Sequence, residues 1–174
     1  QKYPKELERQ IDAGLAHIEF GSDSFCDEVL RDYGKRFTFG DVLASSEYAR
    51  QADVDYCHFL VCGGPGETRA TLQQTYENSL RLPDAVVLAV AGMRIYPGTP
   101  LFTLAATEGR IDPGANLLRP AYYLTPEMTE AEIFSMLEEF ARRSPNWIVG
   151  DPPPTYLKLV ERLRQKGVVG PLWG

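Results

Sequence analysis

Three strand-like runs, each followed by a helical pattern, constrain this chain most, and the second and third are almost unbroken in apolar character. They are residues 16–20 (AHIEF), 56–62 (YCHFLVC) and 85–91 (AVVLAVA). A run that is apolar on both faces suits a strand covered on both sides, as in a parallel sheet. Helical spacing fills the intervals. Leu7 and Ile11 share one face, with Gly14 as the stop. Residues 27–33 form a short helix with Val29, Leu30 and Tyr33 inward, closed by Gly34. Thr38 and Asp41 open a helix to about Ala52. Another runs from about Thr68 to Leu82, with Leu72, Tyr76 and Leu80 on one side. Strand–helix alternation of this kind predicts an α/β fold with parallel strands and right-handed crossovers. Three strands are visible, and three cannot close a barrel.

The rhythm changes after a turn at 96–100 and a short helix at 100–108. Residues 111–126 are rich in Pro, Gly and Asn and predict a long connection. Thr129 and Glu132 then form a capping box before a helix with Ile133, Met136, Leu137 and Phe140 on one face. The prolines at 152–154 predict a stiff linker. A last helix at 155–166 closes at Gly167, before a tail ending Pro171-Leu172-Trp173-Gly174. The expected division is therefore three βα units over 1–110 and a helical extension over 111–174.

Charge excludes some partners. Among 174 residues, 18 basic and 24 acidic side chains give a net charge of -6. Nucleic-acid backbones call for clustered Lys and Arg, so none is expected as a partner. No apolar run approaches the ~20 residues of a membrane span. With no export signal at a charged N-terminus, the expected compartment is cytoplasmic. Cys26, Cys57 and Cys62 match no disulfide framework and no metal spacing, and the last two read as small core hydrophobes.

Chemistry is most legible at residues 59–68 (FLVCGGPGET), a buried strand that ends in a Gly-rich turn and leads into a helix. Glycines let a ligand approach the backbone, and a helix N-terminus offers free N–H groups. Glu67 stands where it would cap those groups or accept from a ligand amine. A tight turn with no ligand reads equally well. A dinucleotide fingerprint is excluded, because the third glycine position after Gly64 and Gly66 is Arg69, and no G-K-[ST] triplet exists for a P-loop.

Taken together, three segments in order resemble the radical S-adenosylmethionine (radical SAM) family. Gly63-Gly64-Pro65-Gly66-Glu67-Thr68 resembles the turn after the fifth strand of such cores. Residues 13–24 (AGLAHIEFGSDS) resemble the fourth strand with its Gly-x-[Glu/Asp]-Ser ending, and residues 33–38 (YGKRFT) the basic turn that follows. Residues 92–101 (GMRIYPGTPL) resemble the sixth-strand ending. The phrases AGMRIYPGTPL and KGVVGPLWG are most similar to the cobalamin-binding group that includes anaerobic magnesium-protoporphyrin monomethyl ester cyclase.

The resemblance implies half of a partial TIM-like barrel, three βα units plus the helical extension. It implies an enzyme that cleaves S-adenosylmethionine to a 5′-deoxyadenosyl radical and acts on a small organic substrate such as a tetrapyrrole or lipid. A 4Fe-4S cluster is implied, with its cysteine loop expected upstream of Gln1, and cobalamin is a further cofactor of the group. The 174 residues alone are expected to be inactive. Asp23 and Ser24 would lie near the ribose or amino-acid part of S-adenosylmethionine, and Lys35 or Arg36 near its carboxylate. The backbone of Leu60 to Gly63, and of Ile95 and Tyr96, would line the adenine, beside Gly64, Gly66 and Glu67. Simpler readings stand alongside. Asp23 would cap the helix near Asp27, Lys35 and Arg36 would be solvated charge, and Pro97 and Gly98 would shape a turn. His17 and His58 read as satisfied structural histidines, Tyr122 and Tyr123 as members of a packed aromatic cluster with the lining of a substrate cavity as the alternative, and Glu19 carries no assigned role. Two functional alternatives also remain: a non-catalytic ligand-binding or interaction module, and a barrel fragment that binds phosphate. An open edge at the first strand would favour a homo-oligomer or a cover from the C-terminal segment.

Overall fold

The protein is described by a computed structural model covering residues 3–82, 84–150 and 154–168. Its elements run α1 (Tyr3–Asp12), β1 (His17–Asp23), α2 (Asp27–Asp32), α3 (Phe39–Gln51), β2 (Asp55–Cys62), α4 (Arg69–Ser79), β3 (Val86–Ala91), β4 (Met93–Arg94), α5 (Pro100–Thr107), β5 (Tyr122–Tyr123), α6 (Glu130–Arg143), β6 (Trp147–Val149) and α7 (Pro154–Gln165). The three expected strands are present and parallel, in the order β1-β2-β3. A fourth, β6, pairs parallel with β3 through Val87 and Trp147, Leu88 and Ile148, and Ala89 and Val149. The segment after residue 110 therefore supplies a strand to the sheet as well as helices.

Register sorts the strand side chains onto two faces. Phe20, His58, Val87 and Trp147 align across the sheet, as do Leu60, Ala89 and Val149. These residues belong to the main core, with Val42 and Ala49 of α3, Leu72 and Tyr76 of α4, and Ile133, Leu137 and Phe140 of α6. Tyr76 stacks on Phe140 at 4.3 Å between ring centres, and Trp147 meets Phe140 edge-on at 5.4 Å. Both polar tips are satisfied: Tyr76 Oη lies 2.9 Å from Ser144 Oγ, and Trp147 Nε1 donates to Ser79 Oγ at 3.0 Å. The opposite face carries Glu19 on β1, Phe59 and Val61 on β2, Leu88 and Val90 on β3 and Ile148 on β6. Phe59 and Val90 are exposed there.

Two local expectations change. Leu80 follows α4 as its C-cap and is exposed, so the inward stripe of α4 continues from Tyr76 to Ser79 and not to Leu80. The stretch expected as an unstructured connection returns to the sheet end as β5, antiparallel to β4, with Met93 opposite Tyr123 and Arg94 opposite Tyr122. Tyr123 is buried with Ile95 and Ala105 in a second small core, whereas Tyr122 is exposed and does not join the expected aromatic cluster. The linker at 151–153 and the tail from 169 onward lie outside the described residues.

Candidate functional site

The C-terminal ends of parallel strands are where α/β folds gather ligands, because helix N-termini and loops converge there. Most candidates from the sequence lie at or follow the ends of β1, β2 or β3, whereas Leu60 lies within β2 and Lys35 and Arg36 follow α2, and the structure gives them different roles.

At the end of β1 the pairing shifts between Phe20 and Asp23, an irregularity of the bulge kind. Asp23 takes φ of 62°, a left-handed conformation that Asp tolerates better than most side chains. Its carboxylate forms an ion pair with Lys35. Lys35 is placed by the end of α2, where its backbone N–H donates to Leu30 O at 2.9 Å after Gly34 turns with φ of 72°. Both charged side chains keep about a quarter of their surface open. Asp23 does not cap α2. The N-cap is Cys26, and its N–H is taken by Ser24 Oγ at 3.1 Å. Ser24 is itself buried, with its hydroxyl 3.1 Å from Thr75 Oγ1, so it is not open to a ligand as the resemblance implied. Arg36 is exposed and lines a groove of about 890 Å³ along the β1 edge, with His17, Ile18, Phe37 and Tyr48.

The Gly-rich turn after β2 is occupied by the protein's own groups. Tyr33 Oη donates to Val61 O at 2.9 Å and accepts the Gly64 N–H at 3.0 Å. The Glu67 carboxylate accepts the Gly63 N–H. The Glu67 N–H donates to Gly64 O at 3.2 Å. From the far side, Thr125 N–H donates to Gly63 O at 2.7 Å and Thr125 Oγ1 to Glu67 O at 2.8 Å. The glycines are demanded by these neighbours. A Cβ on Gly64 would overlap the Tyr33 ring, and one on Gly66 the Asp32 carboxylate. At Gly63, with φ of 83°, it would come 2.7 Å from Ile133 Cδ1. Glu67 neither caps α4 nor faces outward. Thr68 is the cap, in a box with Thr71. Burial pushes the Glu67 carboxyl up to about 7 against the opposing pull of the Gly63 N–H. Burial, with Glu67 nearby, also raises the Tyr33 phenol. Leu60 is fully buried in the helix-side core. The turn is a tightly braced corner, with the N–H groups of Gly63 and Gly64 taken by Glu67 and Tyr33.

At the end of β3, Gly92 turns with φ of 87° and donates to Cys62 O at 2.7 Å. Ile95 is buried, and its N–H donates to Ala121 O at 2.8 Å. Tyr96 is exposed, under the Arg94 guanidinium. Tyr96 to Thr99 form a turn in which Thr99 Oγ1 donates to Tyr96 O at 2.7 Å and caps α5, with Pro100 in its first turn.

His58 is a satisfied core histidine. Ser46 Oγ gives its proton to Val42 O, so it accepts from His58 Nε2 at 3.0 Å, and His58 Nδ1 accepts from Ser22 Oγ at 2.7 Å. Burial lowers its pKa to about 4. The three cysteines are buried, and no group of three metal-ligating side chains occurs among the described residues. Burial carries the Cys57 thiol up to about 12. The three thiols are buried and, among the described residues, not grouped with other ligating side chains, so these residues do not fit an iron–sulfur cluster. The Asp23–Lys35 pair does fit a zwitterionic amino acid, carboxylate to ammonium and ammonium to carboxylate. Sequence reasoning missed Tyr33 and Thr125 as braces of the turn, and Asp32 as the side chain that a Cβ at Gly66 would meet. Only Tyr33 carried a signal, as an inward residue at a helix end.

Residues 2–78 match the Radical SAM superfamily. The heme chaperone HemW of Bacillus subtilis (strain 168) is 28% identical over 127 residues, which are 72% of this chain and 30% of HemW. Two solved structures share the fold. One is the radical S-adenosylmethionine methyltransferase TsrM from Kitasatospora setae with cobalamin and a 4Fe-4S cluster bound, at TM-score 0.76 and 19% identity, covering 98% of this chain and 39% of that one. The other is the Methanocaldococcus infernus Elp3 with an N-terminal deletion, at TM-score 0.61 and 15% identity, covering 95% and 40%. The α/β sheet thus shares its fold with part of these two proteins, and the chain spans less than half the length of each relative. Among the described residues no helix is long and apolar enough to cross a membrane.

Proposed function

We propose, from the premise that residues 2–78 are a segment of a radical SAM domain, that the protein containing this chain cleaves S-adenosylmethionine and acts on an organic substrate. The observation that carries the reading is the Asp23–Lys35 pair, partly open at the strand ends, within the matched segment. These two residues would hold the amino-acid portion of S-adenosylmethionine. Bound at a reduced 4Fe-4S cluster, that cofactor supplies a 5′-deoxyadenosyl radical. The cluster ligands are assigned to the remainder of the parent protein, upstream. The braced turn at 63–67 fixes the corner against which the pair sits. Residues 1–110 are assigned to the second half of the barrel and 111–174 to an extension that also completes its sheet.

The finer reading is an oxidoreductase or cyclase of the cobalamin-using group, with a tetrapyrrole or lipid as substrate. Its support is the apolar strip of Phe59, Val61, Leu88, Val90 and Ile148 on the sheet face away from the helices, the cobalamin in TsrM and the heme named in HemW. The test uses the full-length protein, reconstituted anaerobically with iron and sulfide, then reduced and assayed for 5′-deoxyadenosine. Product is expected, with Asp23→Asn or Lys35→Met raising the KM for S-adenosylmethionine about tenfold by loss of a charge-assisted contact. A protein that holds no cluster and makes no 5′-deoxyadenosine would return the chain to the class of non-catalytic binding modules.

A further inference from the structure

The β4–β5 ribbon turns two different faces outward and inward. Inward, Ile95 and Tyr123 pack against Ala105, with Leu101, Phe102 and Leu104 around them. Outward, Arg94 stands directly across from Tyr122, and Tyr96 follows two residues later on the same side of the chain. The Arg94 guanidinium lies 4.8 Å from the centre of the Tyr96 ring. Both tyrosines are exposed, Tyr96 by 51% and Tyr122 by 59%.

Arg94 is also electrostatically open, unlike several other cations of the chain. Lys35 is paired with Asp23, Arg69 with Glu132 and Arg110 with Glu108. Among the described residues Arg94 has no carboxylate partner, although the chain carries 24 acidic side chains against 18 basic ones. A guanidinium stacked on a ring spends its face and leaves its edge donors free, and those donors form a planar fork suited to carboxylate or phosphate. The rings beside it offer flat apolar surface to the body of the same molecule. The ribbon begins immediately past the C-terminal end of β3, and Asp23, which pairs with Lys35, ends the parallel strand β1.

We infer that Arg94, Tyr96 and Tyr122 form a binding site for an oxyanion group on a flat, ring-bearing small molecule. This rests on the ribbon's geometry and not on the radical chemistry. The test therefore needs neither S-adenosylmethionine nor reductant, and its failure is separate from failure of the cleavage assay. Full-length protein is titrated calorimetrically with 2-naphthoate, 2-naphthyl phosphate and neutral 2-naphthylmethanol. Saturable binding of at least one anionic probe is expected, with the neutral one much weaker. The better of the two anions says whether the natural group is a carboxylate or a phosphate. Arg94→Gln is expected to weaken anion binding about tenfold, the loss of one charge-assisted contact. Arg94→Lys keeps the charge but loses the fork, and is expected to fall between. Tyr96→Leu is expected to weaken all probes. Equal binding of the neutral probe, unchanged affinity in Arg94→Gln, or no binding by either anion would overturn the assignment. Arg94 is exposed, so a thermal melt of Arg94→Gln matching the wild type shows that any loss is local.

Discussion

At the scale of single residues, His58 and Glu67 are both buried and titrate in opposite senses. His58 has its pKa lowered to about 4, so on acidification the unfolded chain binds that proton first. Its contribution is present above about 6.5 and is lost as pH falls toward 4, by up to about 3 kcal/mol. Glu67 is raised to about 7, so the folded chain holds its proton where the unfolded chain has released it. Its contribution is full below about 4.3 and is lost as pH rises through 7, by a similar amount. Between these limits the two slopes oppose, and wild-type stability is expected to be nearly flat. Glu67→Gln should leave stability rising with pH, and His58→Asn should leave it falling, by up to about 1.4 kcal/mol per pH unit each. Urea denaturation from pH 4.5 to 6.5 reads both slopes, and parallel slopes in the two variants would contradict the assignment. Sterics at the Gly turn make another prediction. Gly64→Ala collides with Tyr33 and should cost about 2–4 kcal/mol. In a Tyr33→Ala background most of that cost should vanish, a non-additivity that a double-mutant cycle measures. Gly98 has φ of 73° but open space around it, so Gly98→Ala should cost only about 1–2 kcal/mol of backbone strain.

At the scale of elements, the parts legible in the sequence are those whose cause is local. The boxes at Thr38 and Thr129 announce α3 and α6 by composition alone, and both are present. Thr129→Ala should lower stability by about 1 kcal/mol, read as a shift in the denaturation midpoint at unchanged slope. The strands β2 and β3 are long enough for their apolar runs to speak. By contrast β4 and β5 have two residues each and β6 has three, too short for any periodicity to register. They exist because a partner strand lies in place, and that partner is far away in sequence: Trp147 meets Val87, and Tyr122 meets Arg94. The turn after β2 was found where composition placed it, but its braces were hidden for the same reason. Tyr33 lies 31 residues before Gly64, and Thr125 lies 58 residues after Glu67.

At the scale of the whole molecule, the sheet runs from β1 to β6, and β1 is paired on one side only among the described residues. Its free side borders the groove of Leu15, Ile18 and Phe20 beside α1 and α3. Unpaired strand edges beside apolar surface invite association. The isolated 174-residue chain should therefore self-associate with rising concentration in sedimentation velocity, and a monomer throughout the range would show that the edge is protected. The braced corner after β2 also bears on descent. Its glycines answer to Tyr33, Asp32 and Ile133, and its N–H groups at Gly63 and Gly64 are taken by Glu67 and Tyr33. Selection for a stable fold is enough to keep such a corner, whatever becomes of the reaction. A lineage that had abandoned chemistry would still carry the phrase GGPGET intact, because losing it would first cost the protein its shape. That phrase is a mark of ancestry. Under the function proposed above, a descendant without that chemistry would be expected to drift at Asp23, Lys35 and Arg94, whose side chains stay partly or wholly open.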